Sequence, residues 1–162
     1  AESVPAENGD TMFANMYAAY EALSPGMKQR IDGLKWQTIR ENIENQQALW
    51  PPKHASGKAI YPDVSHPIVR THPETGRKAL FLSMRHIEMT SIVDMREKEG
   101  QALLHELQAF ATAPQFVYSQ RWKAGDALVW DNRCSLHRAT YWDQQKYERL
   151  IYRTFAEGDE PY

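Results

Sequence analysis

Three side chains in the last third of the chain could together bind a metal ion and a carboxylate: His137, Arg149 and Arg153. A neutral imidazole is a common ligand of transition metals. A guanidinium carries a planar fork of N–H donors that matches a carboxylate in two parallel hydrogen bonds. A lone histidine is more often a structural residue, so His137 gains weight only from the two arginines that follow it.

Both arginines fall in a strand-like stretch, residues 149–155. In a strand, alternate side chains point the same way, so one face would carry Arg149, Ile151, Arg153 and Phe155. The other face is also largely apolar, which predicts a strand buried on both sides. A buried guanidinium is costly unless an anion meets it. That anion could be a small bound carboxylate or an Asp or Glu of the protein, and the pattern leaves both open.

Three motifs resemble those of one enzyme family. Residues 130–140, WDNRCSLHRAT, followed by Arg149 and Arg153, resemble the C-terminal signature of the TauD/TfdA family, whose members are dioxygenases dependent on iron(II) and 2-oxoglutarate. The resemblance continues upstream through residues 70–78, RTHPETGRK, and residues 8–15, NGDTMFAN. It covers most of the chain and is closest to the aryloxyalkanoate-type members.

The resemblance implies a role for each candidate residue. His137 would be the distal iron ligand, Arg149 would bind the C5 carboxylate of 2-oxoglutarate with help from the Thr11 hydroxyl, and Arg153 would sit beside them toward an anionic substrate. A face of two histidines and one carboxylate leaves three iron positions open for the 2-oxo acid and O₂. The implied reaction hydroxylates a small organic carboxylate, aryloxyalkanoate or sulfonate and converts 2-oxoglutarate to succinate.

The sequence departs from the family pattern at the metal site. Members carry a His-x-Asp or His-x-Glu pair upstream of the Gly9-Asp10-Thr11 motif, and this sequence begins too late to include it. We therefore expect the isolated chain to bind iron weakly and to be inactive alone. His72-Pro73-Glu74 has the same His-x-acid spacing, but its proline and the nearby glycine favour an exposed turn with a solvated His72.

A second hypothesis is a non-catalytic β-sandwich that binds a small carboxylate through Arg149 and Arg153, and it predicts 2-oxoglutarate binding without metal. No ligand role is expected for the remaining histidines, His54, His66, His86 and His105. Cys134 has no evident partner base, which argues against a nucleophile. Three tryptophans could line an aromatic pocket or pack the core, and core packing is favoured for Trp130: Trp122, Trp130 and Trp142.

Several elements must position these residues. Helical spacing predicts a helix over residues 11–23, and Ser24 as N-cap with Pro25 at the first position predicts a second. Residues 36–65 show no sustained period and are expected to form a long excursion that covers a site. Two short strands, residues 68–71 and 79–82, flank a turn at residues 72–76. An amphipathic helix should run from about Asp94 to about Thr112.

The remaining chain is strand-like at residues 116–122, 127–130, 135–139 and 149–155. Strands gathered late with helices earlier predict a mainly β, α+β fold, a jelly roll or double-stranded β-helix with helical insertions. We expect residues 1–162 to form one domain, the C-terminal portion of a TauD/TfdA-like dioxygenase domain, with the jelly roll incomplete.

Composition excludes several classes of function. With 25% charged residues and a formal net charge of -2, the sequence carries neither a nucleic-acid footprint nor the signature of a disordered chain. No apolar run reaches the roughly 20 residues needed to cross a bilayer. The single cysteine cannot form an internal disulfide, so a cytoplasmic location is expected. Small anionic molecules and O₂ are the expected partners, and a homo-oligomer is left open.

Overall fold

The computed structural model describes residues 1–38, 65–82, 90–156 and 158. In these ranges the chain forms helices and short strands, and the strands form three small antiparallel sheets. The strands are β1 (Thr11–Asn15), β2 (Lys35–Thr38), β3 (Ser65–Pro67), β4 (Val69–Thr71), β5 (Lys78–Leu80), β6 (Thr90–Ile92), β7 (Val117–Gln120) and β8 (Ser135–Ala139). The sheets have the strand orders β7-β1-β8, β3-β2-β6 and β4-β5. The helices are α1 (Met16–Ala22), α2 (Pro25–Ile31) and α3 (Glu97–Ala111), with a 3₁₀ turn at Pro114–Phe116.

The core lies between helices α1 and α3 and the inner sides of the sheets. Helix α3 contributes its buried face there, as its amphipathic pattern predicts: Leu103, Leu104, Leu107 and Ala111. Its predicted end is also confirmed, because the Thr112 hydroxyl donates to the Gln108 carbonyl oxygen at 2.8 Å. Burial of these side chains stabilises the fold by about 25 cal/mol per Å² of apolar surface removed from water.

The predicted helix over residues 11–23 is wrong in its first third, because residues 11–15 form strand β1 and helix α1 begins only at Met16. Pairing with two neighbouring strands satisfies the backbone groups of β1 and outweighs the local helical spacing. Asn15 then acts as the N-cap, because its side-chain Oδ1 accepts from the Ala18 N–H at 3.1 Å. A two-residue alternation, with Thr11 and Ala14 buried on opposite faces, replaces the helical period.

The start of helix α2 and the hairpin β4–β5 are confirmed. Ser24 Oγ accepts from the Met27 N–H at 3.1 Å, and Pro25 occupies the first helical position, where its missing N–H costs nothing. Strands β4 and β5 pair in the register Arg70 to Ala79. The turn between them closes at Gly76, whose φ of 67° suits glycine.

The expected irregular excursion at residues 36–65 is wrong at its ends. Strand β2 pairs with both β3 and β6, and Trp36 on β2 is buried with its indole N–H donating to the Phe81 carbonyl oxygen at 2.6 Å. The rest of the excursion, and with it His54 and the proposed cover over a site, lies outside the described residues. His86 lies outside them as well.

Two predicted strands are absent from the described part of the chain. Residues 127–130 have no ladder partner, and residues 149–155 form only one bridge, Leu150 to Ser3. Strand pairing needs a neighbour for the backbone N–H and C=O groups, and alternation of side chains cannot supply one. The prediction of burial on both sides is also wrong, since Tyr152 is 74% and Phe155 76% exposed.

Among the helices that the structure describes, none combines the length and the apolar character that crossing a bilayer requires.

Candidate functional site

One face of the sheet β7-β1-β8 carries the side chains that could bind a ligand. Phe13 in the central strand lies opposite Tyr118 on one side and His137 on the other, and Thr11 lies opposite Gln120 and Ala139. Directly opposed residues of antiparallel strands point to the same face, as do residues two apart along a strand. Thr11, Phe13, Tyr118, His137 and Ala139 therefore share one face, called the His137 face below. Ala14 points the other way, into the core.

Arg149 reaches this face although its segment is not a strand. Its Nε donates to the Gly9 carbonyl oxygen at 2.9 Å, and its Nη2 donates to Thr11 Oγ1 at 3.2 Å. The guanidinium also lies over the Trp142 ring, 5.1 Å from the centroid. Burial lowers the pKa of Arg149. No Asp or Glu of the described residues forms an ion pair with it, so the internal pairing left open from the sequence is not found there.

The backbone of Asn8 and Gly9 makes this position of Arg149 possible. Both residues have positive φ, 62° and 71°, a conformation that asparagine and glycine tolerate best. A Cβ on Gly9 would stand 2.8 Å from Pro5 Cγ and 3.4 Å from Arg149 Cδ. Glycine is therefore required twice, for the turn and for the close approach of the arginine.

Thr11 is buried, at 7% exposure, and its hydroxyl oxygen has a second donor. The indole Nε1–H of Trp122 donates to Thr11 Oγ1 at 2.9 Å. The sequence interpretation placed Trp122 either in an aromatic pocket or in the core and missed this bond. Only its position just beyond strand β7, whose last residue Gln120 pairs with Thr11, could have suggested it.

His137 is exposed, and two aromatic rings lie beside its imidazole on the His137 face. The Trp130 ring lies edge-on with centroids 5.0 Å apart, and the Phe13 ring is stacked with centroids 6.0 Å apart. Desolvation and, after it, the charge of Arg153 lower the pKa of His137, which favours the neutral imidazole. Neither ring nitrogen has a hydrogen-bond partner in the described part of the chain. A neutral imidazole with unused nitrogens has the form required of a metal ligand.

Arg153 is exposed and makes no ion pair with a described acidic residue. Its positive charge acts on the imidazole of His137 and lowers the pKa of that group. The structure therefore brings four of the sequence candidates to one region: Thr11, His137, Arg149 and Arg153. Beside them, an open groove of about 350 Å³ is lined largely by aromatic and apolar side chains, among them Phe13, Tyr118 and Trp130.

The expectation of a solvated His72 is wrong, because His72 is only 4% exposed. Nδ1 accepts weakly from the backbone N–H groups of Glu74 and Thr75, at 3.3 and 3.4 Å, and Nε2 lies 3.1 Å from Asp131 Oδ2. A neutral ring that accepts at Nδ1 must carry its proton on Nε2. His72 thus closes the turn of hairpin β4–β5 and ties it to the segment before β8, which buries it.

His72, Asp131 and Cys134 nevertheless place one ligand atom each within 4.8 Å of one another. Their states argue against a metal there. Both nitrogens of His72 are engaged, both oxygens of the Asp131 carboxylate accept hydrogen bonds from the Arg133 guanidinium, whose positive charge opposes a cation, and burial raises the pKa of Cys134, which disfavours the thiolate that a metal needs. The Glu74 carboxylate, the acid of the His-x-acid triplet, pairs with Arg133 at 3.0 Å.

Comparison with known proteins gives the site a family context. The model of the taurine catabolism dioxygenase TauD, TfdA family matches residues 1–155. A (S)-phenoxypropionate/alpha-ketoglutarate-dioxygenase of Sphingobium herbicidovorans is 36% identical over 98% of this chain and 56% of its own. An alpha-ketoglutarate-dependent 2,4-dichlorophenoxyacetate dioxygenase of Cupriavidus pinatubonensis is 39% identical over 86% of this chain and 47% of its own.

Among solved structures, the crystal structure of AAD-2 in complex with Mn(II) and N-oxalylglycine superimposes with a TM-score of 0.73 and 35% identity, covering 90% of this chain and 56% of the other. The chain spans about half the length of the curated relatives it matches. Motifs, family model and relatives agree, and the chain belongs to the TauD/TfdA family.

Proposed function

We propose that this chain supplies the 2-oxoglutarate site and one iron ligand of an iron(II)- and 2-oxoglutarate-dependent dioxygenase that hydroxylates a small anionic organic substrate. The observation that carries the proposal is the position of Arg149, which is hydrogen-bonded to Thr11 on the His137 face without an acidic partner among the described residues. A partly buried guanidinium in that situation is complementary to a carboxylate.

The spacing between the two groups suits a dicarboxylic acid. Thr11 and His137 occupy diagonal positions on adjacent strands, because Thr11 is opposite Ala139 and His137 lies two residues before it. Diagonal neighbours have side chains roughly 7–8 Å apart. A five-carbon dicarboxylate anchored at Arg149 and Thr11 can extend from there toward the imidazole.

The residues present fit the implied metal in part. His137 has the neutral form and the unused ring nitrogens of a ligand, whereas the other described cluster, around His72, does not. Iron(II), when bound, would supply the oxidative chemistry that couples decarboxylation of 2-oxoglutarate to substrate hydroxylation. One histidine is a weak site by itself, and we expect little metal binding to this chain alone.

Each residue has a positioning task in this mechanism. Arg149 neutralises the distal carboxylate, and its hydrogen bond to the Gly9 carbonyl oxygen fixes the position of the guanidinium. Thr11 adds a hydrogen bond to the same carboxylate. Phe13 and Trp130 hold the imidazole ring and exclude water from one side of it. Holding reactants in one geometry is how the protein contributes when a cofactor performs the difficult step.

The substrate class follows from charge and shape. Arg153 adds a second cation beside His137, and the aromatic groove accepts an apolar body. We propose a carboxylate, an aryloxyalkanoate or a sulfonate. Relatives are named for phenoxypropionate, 2,4-dichlorophenoxyacetate and, in Pseudomonas putida, sulfate esters.

At the level of the fold, we propose that the sheet β7-β1-β8 is one wall of a double-stranded β-helix, and that residues 1–162 are the C-terminal portion of one dioxygenase domain. The expected cytoplasmic location stays a prediction.

Calorimetry with two ligands tests the function. The titration uses a chain extended to include the His-x-Asp or His-x-Glu pair that family members carry. Titration of 2-oxoglutarate and of glutarate, with and without Mn(II), compares a chelating 2-oxo acid with a dicarboxylate that lacks the 2-oxo group. A dioxygenase site should bind both through Arg149 and should gain affinity from Mn(II) for 2-oxoglutarate alone. Equal binding of both ligands whatever the metal would favour the non-catalytic β-sandwich instead, and absence of 2-oxoglutarate binding would refute both.

A further inference from the structure

The Thr11 hydroxyl receives two hydrogen bonds from groups that can only donate. Trp122 Nε1 lies 2.9 Å and Arg149 Nη2 lies 3.2 Å from Thr11 Oγ1. An indole N–H and a guanidinium have no acceptor atom, so neither bond can reverse its direction. The hydroxyl oxygen has two lone pairs, and both are thereby occupied.

With both lone pairs occupied, the Thr11 hydroxyl can act only as a hydrogen-bond donor. Its proton cannot point toward Trp122 or Arg149, and no acceptor for it is found in the part of the chain that the structure describes. Because Thr11 is 7% exposed, solvent is a poor substitute. The remaining direction is available to an acceptor on a ligand at Arg149.

We propose that Trp122 is a positioning residue for 2-oxoglutarate: its indole N–H holds the Thr11 hydroxyl as a hydrogen-bond donor to the carboxylate that Arg149 binds. The inference rests on the proposed function and assigns a residue that acts only through Thr11. Trp142 differs from Trp122, because it contacts Arg149 through the face of its ring and not through a hydrogen bond.

Without the indole N–H, one lone pair of Thr11 Oγ1 is free. The hydroxyl can then rotate and is no longer held in the donor orientation before the ligand arrives. Preorganised groups bind more tightly because they lose less freedom on binding. We expect Trp122→Phe, which removes the N–H and keeps most of the ring, to weaken 2-oxoglutarate binding roughly three- to tenfold, the scale of one hydrogen bond between neutral groups.

The decisive experiment is a double-mutant cycle on 2-oxoglutarate affinity with Trp122→Phe and Thr11→Val. If Trp122 acts through the hydroxyl, Trp122→Phe should have no further effect once Thr11 is valine. Thr11→Ser, which restores a hydroxyl, should restore the sensitivity to Trp122→Phe. Equal weakening by Trp122→Phe in the threonine and valine backgrounds, or no weakening in either, would overturn the inference.

Trp36→Phe is the matched control. It removes the same indole N–H from a buried tryptophan, which donates to the Phe81 carbonyl oxygen away from the His137 face. Its 2-oxoglutarate affinity should equal that of the wild type. If the wild type itself fails to bind 2-oxoglutarate, the proposed function fails, whereas binding by the wild type with an ineffective Trp122→Phe removes only the role of Trp122.

Should Trp122→Phe not fold, NMR of the indole N–H groups in the wild type provides a second measurement. The Trp122 resonance should shift on addition of 2-oxoglutarate, and Thr11→Val should abolish that shift. A Trp122 resonance that ignores the ligand, or that shifts equally with valine at position 11, would contradict the inference.

Discussion

Arg149 Nη2 and Thr11 Oγ1 lie 3.2 Å apart although 138 residues separate them in the chain. The contact joins a segment outside the sheet to the central strand β1. It thereby places a cation on the face that carries His137, and the predictions below follow from it and from the contacts around it.

Arg149→Lys should weaken 2-oxoglutarate binding by about tenfold or more. Lysine keeps the charge but cannot bond Gly9, Thr11 and a carboxylate together, because its ammonium is a point donor rather than a planar fork. Calorimetry measures the affinity. Arg30→Lys is the control, since Arg30 is exposed and pairs with Glu106 on the protein surface. Unchanged affinity in Arg149→Lys would contradict the assignment of this residue.

Gly9→Ala should lower the free energy of unfolding by at least about 1–2 kcal/mol, the cost of positive φ for a residue with a Cβ. The new methyl group would also press on Pro5 and Arg149, so 2-oxoglutarate affinity should fall in parallel. Urea denaturation and calorimetry give the two quantities. Gly26→Ala, at a helical position with open space around it, should be neutral or slightly stabilising. Equal effects at both glycines would show that the turn imposes no such restriction.

Asp131→Asn should destabilise the protein at pH 7 by about 1–2 kcal/mol, because it disrupts the bonds to Arg133 and His72 at a partly exposed site. Arg133, the larger cause, and His72 lower the pKa of Asp131 in the folded state. The ionised carboxylate therefore stabilises the fold above the unfolded-state pKa of about 3.9, and this contribution is lost as the pH falls toward the folded-state value. The difference between wild type and variant should shrink below about pH 4.

Urea denaturation at pH 7 and pH 3 makes that measurement. The control is Asp32→Asn, whose exposed carboxylate lies 3.8 Å from Lys78 Nζ and should contribute little at either pH. A stability difference for Asp131→Asn that does not depend on pH would mean that the carboxylate is not preferentially ionised in the folded protein.

Arg153→Gln should raise the pKa of His137, because the charge of Arg153 is the second cause, after desolvation, of its lowered value. The protonated imidazole would become less unfavourable, and desolvation alone would keep the pKa below that of an ordinary histidine. An NMR titration of the imidazole follows the change. Arg138→Gln serves as control, because Arg138 pairs with Met12 and points to the opposite face of the sheet. An unchanged pKa of His137 in Arg153→Gln would contradict the placement of Arg153 at the site.

Elements with strong local signals could be predicted from the sequence. Ser24 and Pro25 determine the start of α2, the Pro and Gly of residues 72–76 determine a turn, and the apolar stripe of α3 determines its buried face. The candidates Thr11, His137, Arg149 and Arg153 were also named from the sequence, through side-chain chemistry and family motifs. Their roles as ligands stay predictions.

The tertiary structure decided what depends on partners distant in the chain. Residues 11–15 have helical spacing but form a strand, because β7 and β8 supply their hydrogen bonds, whereas residues 149–155 have strand spacing but find a single bridge. His72 is buried and hydrogen-bonded to Asp131, and Trp122 donates to Thr11, 111 residues away in the chain. The local sequence pattern indicates which secondary structures a segment can form. The folded chain determines which donors, acceptors and neighbouring strands lie next to that segment, and these decide which structure it adopts.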